Sequence, residues 1–490
     1  MMENSRGSLH LAVLGAIAIG IVACSGGGDS GAPASGGGGT VPPPPSAGGA
    51  NVVFGRDTGG NDDLFLIKND GSGLVPLATG PEDEVFARLA GTRILYHKRA
   101  NPFSQRDIWS VGTDGTGAAA LLGGPPDEAV AAVSGTRVIV EAAPGLGMPR
   151  DLLSIGLDGS GQAPLANTAD DEYFRGIIGN RVVYERNVGG QTDVYSVNLD
   201  GSDPKPLAAD PGFEEFVVGS AGSQVIIVTR VDVMSPANLV AINADGSGTP
   251  TLLGGSPNNE VLGAVVGNRV VFMRSVASQF DIFSVNLDGS DVRPLSVNPD
   301  NEFVEAVAGS RVIYSRNVGG QTDLYSVNVD GTGEVPLATV PTSEEHTVGV
   351  VGSRVIFRRT LGAQDDLLSI NADGSGIEAA LATGPEDEDF AGQVGTRVLF
   401  HRNTGGPLGP ADLYSVNVDG TGLVPLATSG DNEAFAGAAG DRAVYERKTG
   451  NFFSGSPRDL FGIAPDGSGP AIPLGQTANP TTDEYFAFSF

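Results

Sequence analysis

The sequence predicts an all-β fold, a propeller of about ten four-stranded blades, on three observations. An Asp-Gly pair following a short apolar run recurs ten times at spacings of 42 to 47 residues, at Asp70, Asp114, Asp158, Asp200, Asp245, Asp288, Asp330, Asp373, Asp419 and Asp466. A fixed period of that size marks a solenoid or propeller. Glycine is abundant, 73 of 490 residues, and runs rich in Ala, Leu, Glu and Lys are missing, which favours short strands and tight turns. Within each period the apolar residues fall into four short runs. Length alone does not count domains here, because repeats that bury their faces against neighbours build one large body from small modules.

The first element, residues 1–23, reads as a signal peptide. Arg6 precedes the apolar run Leu11 to Ala23, too short to span a bilayer and suited to a signal core. The stretch Ile21-Val22-Ala23-Cys24 resembles the lipobox of bacterial lipoproteins, in which the cysteine becomes the acylated N-terminus. Cys24 is the single cysteine, so an exported chain forms no internal disulfide and lipidation is the better account of the thiol. By the same resemblance, Ser25 in place of Asp implies release to the outer membrane. Residues 24–50 comprise that Cys and a Gly/Pro/Ser tether, including Gly36 to Gly39 and Pro42 to Pro45. The tether is expected to be disordered, with a reach of roughly 25 to 30 Å.

Residues 51–490 hold the blades, with strands a, b, c and d in chain order. Strand a, as in Glu215-Phe216-Val217-Val218, runs to a Gly-x-Arg step that turns into strand b, as in Arg181 to Arg186. Strand c runs from Asp193 to Leu199, and the Asp200-Gly201 turn leads to strand d at Pro206-Leu207-Ala208. Val, Tyr and Phe favour strands, and Asp-Gly supplies the positive φ a tight hairpin needs. Runs such as Val182 to Tyr184 and Val312 to Tyr314 are continuously apolar, which implies cover on both faces. Radial stacking of sheets provides it.

Asn51 to Phe54 matches strand b, so the first unit lacks a strand a, while Glu484 to Phe488 is a strand a with nothing after it. The C-terminal strand is expected to complete the first blade and remove the exposed edges. Two five-bladed rings are the alternative. They would have to separate Glu260 to Val266 from Arg269 to Met273 across the tight turn at Gly267-Asn268, which favours one ring.

The repeats Asp323 to Gly331 and Asp412 to Gly420 resemble the TolB-like, WD40-like (PD40-type) propeller repeat, a likeness that spans residues 51–490. Where that repeat usually carries Trp-Ser-Pro-Asp-Gly, this chain has Gly-x-Arg, and Trp109 is its single tryptophan. The resemblance implies the scaffold.

A net charge of −29, from 58 acids and 29 bases, argues against nucleic acid and against charge-driven binding to anionic membranes. Excess negative charge also keeps a large protein soluble. The b–c and d–a connections share one face, and polar residues recur there. Strand b ends in Arg at Arg56, Arg99, Arg186, Arg230, Arg274, Arg316, Arg359, Arg402 and Arg447; strand c opens with Asp in nearly every unit; Glu precedes strand a, with Glu344 or Glu345 in the eighth. Arg186, Asp193 and Glu172, like Arg316, Asp323 and Glu302, form representative triads. Repetition in nearly every blade points to scaffolding, with Arg bridging carboxylates to lock the b–c loop onto the next blade. The functional alternative is an acidic mouth that collects cations or a basic partner.

The Asn-x-Asp-Gly-Ser/Thr-Gly turns lack the acid series and terminal Glu of a calcium loop and read as hairpins. His97, His346 and His401 are too few and too scattered to build a metal hydrolase site. The sequence carries no nucleophile elbow and no phosphate-cradling loop, so no catalytic residue, metal or cofactor is expected. Irregular loops are the candidate partner surface: Phe103 in blade 2, Leu146 and Met148 in blade 3, Val233 and Met234 in blade 5, and Phe452 and Phe453 in blade 10. The bland alternative is that these loops fold over their own blades. The resulting expectation is a monomeric, non-enzymatic, lipid-anchored scaffold of the bacterial outer membrane, binding an envelope protein or glycan and touching the membrane through its N-terminal lipid. An extracellular polysaccharide lyase or hydrolase on the same scaffold is the other reading.

Overall fold

The computed structural model describes residues 50–490 except 58, 102, 146–147, 233, 363, 404–408, 450–456 and 476–481. The expected signal, Cys24 and nearly all of the expected tether lie outside the described residues. Ten four-stranded antiparallel sheets form one propeller ring, with no helix among the described residues. In blade 4, strands a, b, c and d are Asp171–Ile178, Arg181–Val188, Gln191–Asn198 and Lys205–Ala208, hydrogen-bonded in that order. Blade 1 takes b, c and d from Asn51–Asp57, Asp62–Lys68 and Val75–Ala78, and its strand a is Glu484–Ser489. Arg56 pairs with Glu484 and Val52 with Ser489, and Asn51 and Phe490 exchange backbone hydrogen bonds of 2.7 and 3.0 Å. The C-terminal strand therefore closes the ring.

The apolar runs of strand b are continuous because successive side chains point to opposite neighbours. Val182 and Tyr184 pack with Ile139, Leu152 and Leu165 of blade 3, while Val183 packs with Val225 and Ile227 of blade 5. Every blade thus shares its core with both flanking blades. At the c–d turn Gly201 adopts φ 82° and donates to Asn198, while the Asn198 amide donates to Ser202. This is a type I turn with a glycine bulge, in which the glycine alone needs positive φ. Asp200 contributes its side chain instead, accepting from the Ser202 amide at 2.9 Å and hydroxyl at 2.6 Å.

Strands a of successive blades touch one another around the axis. Each of the ten is bulged at the same place, as between Phe174 and Gly176, where Arg175 is skipped in the strand register. Small residues let these strands approach: a Cβ on Gly437 would lie 2.7 Å from the Phe486 ring, and one on Gly392 2.5 Å from Phe435.

Candidate functional site

Strand a places a glutamate at one register in every blade: Glu84, Glu128, Glu172, Glu215, Glu260, Glu302, Glu345, Glu388, Glu433 and Glu484. None is more than 2% exposed. Opposite each lies the sixth position of strand b, which is Arg in seven blades: Arg56, Arg186, Arg274, Arg316, Arg359, Arg402 and Arg447. The register corrects the sequence alignment in two blades and resolves it in a third. Arg99 stands opposite Asp83 and Arg230 opposite Glu214, so Glu84 faces Lys98 and Glu215 faces Thr229; in blade 8 the buried glutamate is Glu345. In blade 3, Glu128 faces Ala142.

Where Arg is present it usually binds the glutamate of its own blade. The contacts are 3.1 Å for Arg56 and Glu484, 3.1 Å for Arg274 and Glu260, 3.3 Å for Arg316 and Glu302, 2.9 Å for Arg359 and Glu345, and 3.0 Å for Arg402 and Glu388. The guanidinium also covers an aromatic ring of strand c, Arg316 over Tyr325 at 4.2 Å and Arg274 over Phe283 at 4.5 Å. The lock runs to the preceding blade, not to the next one as expected: Arg274 donates to the Gly254 carbonyl at 2.7 Å and Arg316 to the Ser296 hydroxyl at 2.9 Å. Asp323 lies opposite Arg316 in register. The other representative triad is arranged differently. Arg186 donates to the Tyr195 hydroxyl, which donates to Asp193, and Glu172 accepts from Thr168.

Burial pushes most of these glutamates upward, because a charged carboxylate loses its hydration. Glu302 is raised by burial although Asn298, Ser296 and Arg316 oppose it. Glu128 and Glu215, which face no cation, and Glu84, whose Lys98 partner lies at 3.8 Å, are pushed up to about 7.

The inner bulge creates a second ring that sequence reasoning missed. In six blades it frees an amide that a side chain of the preceding blade accepts. The acceptors are Glu141 for Phe174 at 3.0 Å, Glu185 for Val217 at 2.8 Å, Glu446 for Phe486 at 3.1 Å, and His97 and His401 for Val130 and Phe435 at 3.2 and 3.0 Å. Glu305 reaches Thr347 in the same way. The signal was present in the sequence, since His97, Glu141, Glu185, His401 and Glu446 occupy one position of strand b. On the opposite face, Gly-x-Arg arginines form staples. Arg181 donates to Ser196 Oγ at 3.0 Å, and that hydroxyl donates at 2.6 Å to the Ala244 carbonyl of the next blade.

Of the candidate partner residues, Phe103 is 99% exposed, Met234 89% and Met148 55%. Phe103 and Met234 stand clear of their blades because local turns hold them: the Phe103 amide donates to Asn101 Oδ1 and the Met234 amide to Asp232 Oδ1. Leu146, Val233, Phe452 and Phe453 lie outside the described residues. Among the described residues no three His, Cys, Asp or Glu side chains are grouped to hold a metal ion.

No protein family matches the sequence, and no curated protein does so. Solved structures do match. The chain is 17% identical to a prolyl endopeptidase over 67% of its own length and 54% of that chain, with a TM-score of 0.38. It is 13% identical to the tricorn protease, covering 83% of this chain and 43% of that one at a TM-score of 0.31. A puromycin-hydrolysing peptidase of Mycobacterium tuberculosis is 14% identical, with 67% and 60% covered and a TM-score of 0.33. The chain thus spans about half the length of the structures it matches.

Proposed function

We propose that the ring is a lipid-anchored, non-enzymatic scaffold of the bacterial envelope, with an envelope protein or glycan as its partner. The supporting observation is the set of apolar tips on the b–c face, Phe103, Met148 and Met234, exposed by 99%, 55% and 89%. Apolar side chains held in water by local turns contribute nothing to folding and gain free energy when a partner covers them. The anchor rests on the resemblance of the stretch before Cys24 to a lipobox.

Crosslinking of the anchored protein in its native envelope tests the partner. A reproducible partner lost in the Phe103→Ser, Met234→Ser double variant is the expected outcome. A purified ring that depolymerises an envelope polysaccharide would overturn the non-enzymatic reading. For the anchor, Cys24→Ala is expected to abolish labelling by a fatty-acid probe, because no other thiol can take the acyl group; undiminished labelling would refute it.

A further inference from the structure

A cavity of about 350 Å3 lies between blades 4 and 5. Blade 5 is truncated there at three adjoining positions. Thr229 stands where seven blades carry Arg. Ile227 and Val240 stand where other blades stack aromatic pairs such as Phe272 and Phe283, or Tyr314 and Tyr325, beneath that arginine. All three line the cavity, together with Ala208, which occupies the strand-d position whose counterpart Gly254 accepts from Arg274 through its carbonyl.

The carboxylate that the missing arginine would bind is still there. Glu215 is 2% exposed and lines the cavity; its Oε2 is buried without a hydrogen-bond partner, as in seven of the other ring glutamates, and its Oε1, the atom that Arg274 and Arg316 bind in Glu260 and Glu302, accepts only a long bond of 3.4 Å from the Asp210 amide. A buried carboxylate oxygen without a donor is costly. The charges bearing on it come from Asp193, in strand c of blade 4, and Asp210, in the connection leading to Glu215, and both are acidic. Asp210, Phe213 and Pro250 form the exposed rim, so the cavity has an entrance.

We infer that this cavity binds an alkylguanidinium cation, the group that the chain itself supplies at the same place in seven other blades. The guanidinium would donate to Glu215 as Arg274 and Arg316 donate to Glu260 and Glu302. Its alkyl stem would lie against Leu207, Ile227 and Val240. A metal ion is a poor occupant, since no third ligand converges there and most of the wall is apolar. The inference goes beyond the envelope scaffold and is independent of it: the cavity can bind a guanidinium whether or not the apolar tips hold a partner.

Calorimetric titration of the purified ring with butylguanidinium tests the site. Saturable binding is expected, at least about tenfold tighter than butylammonium, because the planar fork pairs with a carboxylate through two hydrogen bonds. Glu215→Gln should weaken it by a similar factor. Thr229→Arg should abolish binding and raise the melting temperature, since it restores the arginine of the other blades; should that variant fail to fold, the Glu215→Gln comparison still decides. A capped arginine peptide binding more tightly than butylguanidinium places the natural ligand on a partner chain, and equal affinities place it on a small molecule. No saturable binding, equal binding of butylammonium, or undiminished binding by Glu215→Gln would overturn the inference.

Discussion

At the residue scale, buried ionisable groups act on stability with opposite signs. Glu128 faces Ala142, and burial and then Asp107 push its carboxyl up to about 7 against the help of the Ile108 amide. A carboxyl raised above its unfolded value binds more protons in the native state, so its favourable contribution is present at low pH and lost as pH rises through about 7. Glu128→Gln cannot ionise. It should be more stable than the parent at about pH 8.5 and nearly equal at about pH 5, as read from urea unfolding at both values; a difference independent of pH would contradict the account. His97 carries the other sign. Burial, then Arg106, lowers it to about 4, and its Nε2 must be neutral to accept the Val130 amide. A lowered base favours the native state above its unfolded value, and that contribution is lost as pH falls towards about 4. His97→Phe should cost ~1–3 kcal/mol by leaving that amide unpaired. His97→Glu, the residue used at this position in blades 3, 4 and 10, should recover most of the loss in the same unfolding measurement.

At the scale of the strand and its neighbour, charged side chains join blades whose cores are already continuous. Arg316 ties strand a to strand b through Glu302 and reaches Ser296 of blade 6. Arg316→Met keeps the apolar stem but strands Glu302, which is fully buried. A loss of ~1–3 kcal/mol is expected, with partner binding unchanged well below the melting point. Unchanged stability together with altered binding of a cationic partner would instead favour an acidic mouth. The repeated pairing of a strand-b Arg with a strand-a Glu was legible in the sequence because it recurs. The one-residue offsets at Lys98 and Thr229 were not, because Arg99 and Arg230 sit next to those positions and nothing local distinguishes a register.

At the scale of the whole molecule, stability depends on closure. Strand Glu484–Ser489 pairs with strand b of blade 1, Arg458 of blade 10 holds Asp483 at 3.0 Å, and Phe488 stacks on Phe86 of blade 2. Deleting residues 483–490 removes ties to three blades at once and opens sheet edges. The melting temperature should fall by roughly 10 °C or more, a larger drop than a surface segment of that length would give. A deletion that melts like the parent would show that the ring is held elsewhere.

The sequence by itself determined the repeat, the four strands of each blade, the phase that makes the last strand complete the first blade, and the glycine turns. All of these follow from local propensity and from a pattern repeated ten times. Tertiary structure alone decided which side chains meet across blades. The bulge in strand a leaves no mark in composition, and its freed amides give His97 and His401 their role as acceptors beside Glu141 and Glu185. The cavity beside Glu215 is likewise lined by Thr229 and Ile227 of strand b and Val240 of strand c together, while the carboxyl comes from strand a. Each substitution is unremarkable in its own strand. Their coincidence becomes a space with an unpaired carboxylate because burial and charge are properties of the packed interface rather than of any one segment.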